Sequence, residues 1–237
     1  MKANRKPFRF KQFEIYQDQC AMKVGTDGVL LGAWTQTNKA QNILDIGCGT
    51  GLISLMLAQK TSALILALEI DKNAAKQADE NFRNSPWKSQ LKIENIDFQS
   101  FWKLETQTFD LIVCNPPFFN AKQSETSRQR ARQNESLPFE NLFEGVNKML
   151  SKLGRFNLVV PIWEEDRIIE LAKQNELFLY EILRVRGNPK NEIKRILLSF
   201  GSTSQKVKEN ELTIELARNQ YTKAYQKLVK DYLIIFE

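Results

Sequence analysis

The stretch from Asn42 to Asp71 most narrows the folds open to this chain. Asn42-Ile43-Leu44-Asp45-Ile46 is a short apolar run that reads as a strand buried on both faces. It breaks into Gly47-Cys48-Gly49-Thr50-Gly51, and Leu52 to Gln59 then carries its apolar residues at helical spacing. Leu64 to Ile70 is a second buried strand, closing on Glu69 and Asp71. A strand, a glycine turn, a helix and a strand make a crossover unit, which commits the chain to an α/β fold with parallel pairing. The glycines allow a tight turn and let a ligand approach bare backbone, while the free amides that open the helix can receive an anionic group.

The spacing of those glycines separates two ligand classes. A dinucleotide loop follows G-x-G-x-x-G, but the position three residues after Gly49 is Leu52, and the third glycine is Gly51. The loop is G-x-G-x-G, with Asp45 two residues before its first glycine. That arrangement belongs to S-adenosylmethionine sites, where no pyrophosphate needs cradling and the amino-acid end of the donor lies along the loop. Glu69 stands at the carboxyl end of the second strand, where an acid can take both ribose hydroxyls. Asp97, at the end of a strand expected over Leu91 to Ile96, could accept from the adenine amine. Cys48, Ile70 and Phe98, adjoining these groups, complete the candidate donor-binding set together with Asn115.

Asn115-Pro116-Pro117-Phe118 carries the chemistry. Phe109 to Cys114 reads as a buried strand, and two prolines stop it abruptly, leaving an amide and an aromatic ring at its carboxyl end. Open α/β sheets bind ligands at that end. The Asn115 side-chain oxygen and the Pro116 carbonyl can each accept one N–H of a planar amino group, and Phe118 can stack on the ring that bears it. The chain has no histidine, which removes the Ser-His and Cys-His triads and the commonest general base. Asn115 to Phe118 needs none. Cys20, Cys48 and Cys114 are too few and too widely spaced for a disulfide framework or a thiolate cluster, so no metal is expected.

The remaining segments fit around this pair of motifs. Phe8 to Tyr16 suggests a short strand or hairpin, and Met22 to Trp34 a covering helix capped by Thr26 or Asp27. Helices are expected over Asp71 to Asn84, Pro138 to Leu150 and Ile162 to Gln174, and strands over Gly154 to Val160, Leu177 to Val185 and Ile193 to Phe200. The last two strands form an antiparallel closing hairpin across Gly187-Asn188-Pro189. Leu212 to Leu216 suggests one more strand, and Tyr221 to Phe236 a packed helix. Such alternation reads as one doubly wound, mostly parallel domain over 1–237: a short N-terminal extension (1–35), a catalytic core (36–200) and a strand and helix (201–237).

Charge points to a polyanion. The net charge is +6, and the segment 120–133 carries Lys122, Arg128, Arg130 and Arg132 against one acid, Glu125. Arg184, Arg186, Lys190, Lys194 and Arg195 crowd the closing hairpin against Glu192 alone, which makes it either a second candidate for phosphate contact or a solvated sheet edge guarded by charges. No apolar run approaches the ~20 residues of a membrane helix. The basic start lacks the apolar stretch of a secretory signal, so a cytoplasmic location is expected. A monomer is the expected state.

Together the donor loop and the N-P-P-[FY] element resemble the class I S-adenosylmethionine-dependent methyltransferases that modify amino groups, over residues 20 to 200. Lys23-Val24-Gly25-Thr26-Asp27-Gly28-Val29-Leu30-Leu31-Gly32-Ala33-Trp34, the arginine-rich run after Asn115 and the Tyr221-Thr222 tail are similar to the bacterial tRNA(Val) adenine methyltransferase family. The resemblance implies a seven-stranded sheet, S-adenosylmethionine as donor, tRNA as partner, and the 6-amino group of the adenine next to the anticodon as target. It implies that Asp45, Gly47, Gly49, Gly51, Glu69 and Asp97 hold the donor and that Asn115 to Phe118 hold the base. Phe118 stands where such enzymes often have tyrosine, keeping the stacking surface without the hydroxyl. The alternatives are a protein glutamine methyltransferase, whose usual N-terminal helical domain has no counterpart in this sequence, and a non-catalytic RNA-binding relative. A nicotinamide dehydrogenase is disfavoured by the loop spacing.

Overall fold

The computed structural model describes residues 6–117 and 137–236. Phe118, Lys122, Arg128, Arg130 and Arg132 lie outside these residues. The described part opens with a small hairpin, β1 (Phe8–Arg9) and β2 (Glu14–Ile15), followed by α1 (Thr26–Trp34). Neither Thr26 nor Asp27 caps α1. The N-cap is Gly25, with extended backbone and no side-chain cap, so the first amides of α1 are left for a neighbour or a ligand.

The crossover unit forms where expected. β3 (Asn42–Ile46) leads through the glycine loop into α2 (Leu52–Ala58), then β4 (Leu64–Leu68). α3 (Lys72–Arg83) follows, with Asp71 accepting from the amides of Asn73 and Ala74 at its N-cap. After β5 (Leu91–Glu94) comes α4 (Phe98–Leu104), a seven-residue helix that periodicity did not announce. β6 (Phe109–Cys114) ends at Asn115, and the chain resumes with α5 (Phe139–Met149), β7 (Leu150–Pro161), a 3-10 turn at Ile162–Glu164, and α6 (Glu165–Gln174). β8 (Phe178–Arg186) and β9 (Ile193–Gly201) make the closing hairpin.

The sheet has eight strands in the order β10-β8-β9-β7-β6-β3-β4-β5, one more than expected. The addition is β10 (Lys208–Thr213), which pairs in parallel with β8 and begins four residues before the strand expected over Leu212 to Leu216. Its sequence, Lys-Glu-Asn-Glu-Leu-Thr, buries only Leu212, so it shows no apolar alternation to read. Its backbone pairing with β8 is flanked by ion pairs: Lys208 to Glu181 at 3.1 Å, Glu209 to Arg184 at 2.7 Å, and Glu211 to Arg186 at 2.5 Å. β9 alone runs against its neighbours in this sheet. β11 (Glu215–Ala217) and β12 (Gln220–Tyr221) form a separate ribbon, and the terminal helix α7 covers only Lys223–Val229, capped by Thr222.

Alternate residues along the central strands bury opposite faces, as expected for strands covered on both sides. Ile43, Ile65, Leu111, Val113 and Val159 join α1, α2 and α7 in one cluster. Leu44, Ile46, Ile112, Leu158 and Val160 join α4, α5 and α6 in the other. Gly32 lets α1 lie close on α2, since a methyl group there would come within 2.7 Å of the Met56 sulfur. Phe143 is wholly buried at the centre of the second cluster, edge-on to Phe156 and Phe200 at 5.5 and 5.8 Å. Phe143→Ala is expected to cost about 3–5 kcal/mol, seen as a lower urea midpoint with an unchanged slope.

Candidate active site

Strand register brings the two sequence motifs together. β3 lies between β4 and β6, and its last residue pairs with the last residue of each: Ile46 with Leu68 and with Cys114. Gly47, Glu69 and Asn115 therefore leave the sheet side by side, at the point where strand order reverses. The backbone seals this corner, because Gly47 and Cys48 both donate to the Leu68 carbonyl, at 2.9 and 3.0 Å.

The loop has the conformation that only glycine holds at low cost. Gly47, Gly49 and Gly51 have φ of 69°, 55° and 79°. Gly51 is constrained twice, since a methyl group on it would meet the Phe82 ring at 2.4 Å; around Gly47 a methyl group would meet nothing within 4 Å. Gly47 thus presents bare backbone to open space. The Glu69 carboxylate organises the corner: one oxygen accepts from the Gly49 amide at 2.8 Å, the other from the Asp71 amide at 2.9 Å. Each oxygen keeps a further lone pair for a ligand hydroxyl. Asn95, which sequence reasoning passed over, donates from its side chain to the carbonyls of Glu69 and Ile70 at 2.8 and 2.9 Å and so fixes that turn. Ile70 itself is exposed beside it.

A cavity of about 360 Å³ opens over this corner. Gly47, Cys48, Gly49 and Thr50 form one wall, and Lys23, Gly25, Thr26 and Asp27 at the uncapped start of α1 form the facing one. Asn115 and Arg195 complete it. The Asn115 side-chain oxygen is buried and has no hydrogen-bond partner among the described residues. An acceptor held without a donor beside an open cavity is a vacancy for an N–H group. Gly28 lies beside it, and a methyl group there would press on the Leu52 side chain at 3.1 Å. Arg195, on β9, donates to Asp27 at 2.8 Å and ties α1 to the sheet at the mouth. Arg195 was expected as a phosphate contact on the closing hairpin, and Lys23, Thr26 and Asp27 were not among the expected site residues. Their string read equally well as a covering helix, and only the fold turns its first residues toward the loop.

The other expected site residues are engaged as follows. Asp45 is wholly buried beneath the loop rather than in the cavity. One of its oxygens accepts from the Ser54 hydroxyl at 2.6 Å and amide at 3.1 Å, clamping α2 to β3; the other has no partner among the described residues. Burial raises its pKa to about 6, against the opposing pull of the Ser54 bonds. Phe98 is a core residue packed against Gly145. Asp97 caps α4 by accepting from the Ser100 amide at 2.8 Å, and its bonds to Ser100 hold its carboxyl below the ordinary carboxylate range. Cys48 lines the cavity, but burial, with Asp45 and Glu69 nearby, pushes its thiol well up, so it stays protonated. Pro116 is buried and Pro117 exposed.

The closing hairpin is less of a cationic surface than its sequence suggests. Arg184 is paired with Glu165 and Glu209, and Arg186 with Glu211, so the acids of α6 and β10 neutralise them. Lys190 and Lys194 remain exposed. A larger cavity, about 790 Å³, lies at the opposite ends of α1 and α2 against α7. It borders Lys60, whose ammonium is engaged by the carbonyls of Gly32, Ala33 and Thr35 at 2.7–2.8 Å and closes off the end of α1. Size does not make it the reactive site: the glycine loop, whose Gly49 amide Glu69 holds, and the Asn115 oxygen that has no partner among the described residues adjoin the smaller cavity.

The methyltransferase small domain model matches residues 21–161, from the approach to α1 through the end of β7. The chain belongs to this methyltransferase family. It is 47% identical to the tRNA1(Val) (adenine(37)-N6)-methyltransferase of Flavobacterium psychrophilum, over 96% of this chain and 99% of that one. It is 43% identical to the protein of that name from Trichodesmium erythraeum, over 96% and 97%. Among solved structures, a protein described as a predicted O-methyltransferase from Agrobacterium tumefaciens superposes with a TM-score of 0.70 at 16% identity, covering 87% of this chain and 96% of that one. A geranyl diphosphate methyltransferase gives 0.53 at 10% identity, covering 73% and 76%. These likenesses establish the class I methyltransferase fold.

S-adenosylmethionine is the cofactor expected of this family, and the residues present fit it. The glycine backbone and the uncapped α1 amides suit its amino-acid end, and the Glu69 oxygens suit its ribose. No group of three His, Cys, Asp or Glu among the described residues is placed to hold a metal ion, and no helix there is long and apolar enough to cross a membrane.

The buried Asp45 carboxyl makes stability depend on pH. Between an ordinary pKa of 3.8 and its folded value of about 6, the folded protein retains a proton that the unfolded chain has released. This contribution is full below the unfolded pKa and is lost as pH rises through the folded one. Asp45→Asn should match the wild type near pH 4 and exceed it above pH 6 by on the order of 2–3 kcal/mol, as melting temperatures across that range would reveal.

Proposed function

We propose that this protein transfers a methyl group from S-adenosylmethionine to the exocyclic 6-amino group of an adenine in tRNA, the adenine at position 37 of tRNA1(Val). The observation that carries the reading is the buried, unpartnered Asn115 oxygen at the edge of the donor cavity. Supporting it are relatives of that name across nearly the whole chain.

The adenine 6-amino nitrogen is a poor nucleophile, because its lone pair is delocalised into the ring. The Asn115 oxygen and the Pro116 carbonyl each accept one of its two N–H bonds. Held this way the nitrogen turns its lone pair toward the donor, and the positive charge that grows on it meets acceptors already in place. When bound, the donor would supply an electrophilic methyl on a sulfonium; the chain supplies position, and the proton that the amino nitrogen sheds on methylation passes to solvent. No imidazole is required, consistent with a sequence that contains none. The two prolines stiffen the turn, and Phe118 stacks on the base for about 1–3 kcal/mol, offsetting part of the cost of unstacking it. A loop adenine is easier to extract than a paired one.

Glu69 and the Gly47 to Gly51 backbone hold the ribose and amino-acid ends of the donor, and Asp45 acts from beneath by fixing α2 against β3. Arginines 128, 130 and 132, with Lys122, take the tRNA backbone.

Asn115→Ala is expected to keep donor affinity within a few-fold, by calorimetry, while methyl transfer falls about 10²–10³-fold. Near-normal turnover would overturn the amine clamp. Mass spectrometry of nucleosides from tRNA treated with the enzyme should give N6-methyladenosine. Replacing Arg128, Arg130 and Arg132 together by serine should weaken tRNA binding and lower the salt slope by about 2–3. An unchanged slope would remove that segment from the interface.

A further inference from the structure

A second polar cavity, about 200 Å³ in volume, lies on the α1 face of the sheet near the carboxyl end of that helix, walled by Trp34 and Tyr180. It shares no lining residue with the donor cavity. Two polar groups on β7 face it, Arg155 and Asn157, which stand two residues apart and so on one side of the strand. Asn157 is 4% exposed; its amide nitrogen donates to the buried Thr35 hydroxyl at 3.2 Å, and its oxygen is buried without a partner among the described residues. The Arg155 guanidinium lies over the Tyr180 ring, 3.7 Å from its centroid, and its Nη1 is also buried without a partner. Tyr180 is fixed in turn, with its hydroxyl bonded to Thr203.

The cavity thus offers a cationic donor nitrogen and a neutral acceptor oxygen, each buried and without a partner among the described residues. Each carries its full desolvation cost unless one occupant satisfies the two together. Charge narrows the occupant. Lys208 and Glu181 on the lining neutralise each other at 3.1 Å, leaving Arg155 and Lys206 as the uncompensated charges. An anion is favoured, but a fully deprotonated oxyanion would set lone pair against lone pair at the Asn157 oxygen. An oxyanion that still carries a hydrogen meets both demands.

We propose that this cavity is a binding site for hydrogen phosphate, its charged oxygens on Arg155 and Lys206 and its P–OH donating to the Asn157 side-chain oxygen. Inorganic phosphate keeps at least one hydrogen at neutral pH. Sulfate, with nearly the same shape and charge, keeps none, so the acceptor builds selectivity between them. The same chemistry would accept the singly protonated terminal phosphate of a sugar phosphate.

The test compares melting temperatures of the full-length protein in phosphate and in sulfate at equal ionic strength and pH 6.5, with ribose 5-phosphate as a third arm. Both salts stabilise proteins by exclusion from the surface, so that contribution largely cancels. Phosphate is expected to raise the midpoint by about 2 °C or more beyond sulfate. Asn157→Asp, which keeps the shape and adds a charge, and Arg155→Gln should each abolish the difference. Phosphorus NMR gives a second readout: the phosphate line should broaden with wild type and stay sharp with either variant. A ribose 5-phosphate response equal to that of phosphate would assign the site to a terminal monoester, and phosphate alone to the free ion. Equal midpoints in phosphate and sulfate for the wild type, with no line broadening, would overturn the proposal and leave the cavity to water.

Discussion

The site depends on one constraint, the parallel register that sets Ile46 opposite both Leu68 and Cys114. From it follow the adjacency of the glycine loop, Glu69 and Asn115 and the reversal of strand order that opens a crevice between them. Shifting β6 by one residue would move Asn115 along the sheet and turn its side chain to the other face. The burial of both sheet faces, with Ile43 and Val113 on one and Leu44 and Ile112 on the other, makes such a slip expensive. The core therefore holds the reactive geometry as much as it holds the fold.

Within that frame the chain works with backbone and carboxylates where many enzymes use imidazole. Glu69 aligns the loop by accepting from Gly49 and also pins the start of α3 through Asp71. Asp45 binds Ser54 from below. Helix α1 closes the far side and is fastened at both ends, by the Asp27 to Arg195 pair near the cavity and by Lys60 at its last carbonyls. At the cavity edge the Asn115 oxygen is buried without a partner among the described residues.

The C-terminal part of the sheet follows a different logic. β10 has almost no apolar content to bury; it joins the sheet through its backbone pairing with β8, with its acids set beside the bases of that strand. Those bases, Arg184 and Arg186, looked in isolation like a phosphate-binding surface. Exposed pairs of this sort add little stability, so their effect here is chiefly to cover the β8 edge and set the parallel register of the last strand.

Much of this was legible in the residues. The apolar runs, the glycines at 47, 49 and 51 and the prolines at 116 and 117 are local signals, since backbone conformation at such residues is limited by their own covalent structure. They specified the crossover unit, the doubly wound class, the glycine loop and the place of the Asn115 turn at the end of β6. What tertiary structure alone decided was where side chains went once elements packed. Asp45 sank beneath the loop to bind Ser54, Phe98 entered the core against Gly145, Asp97 capped a helix, and β10 became an eighth strand. It also brought Asp27 and Lys23 to the cavity facing Gly47, a contact between segments about twenty residues apart that no local pattern encodes. The physical reason is the same in each case. A dihedral preference belongs to one residue, whereas burial and pairing belong to whatever the fold brings against it.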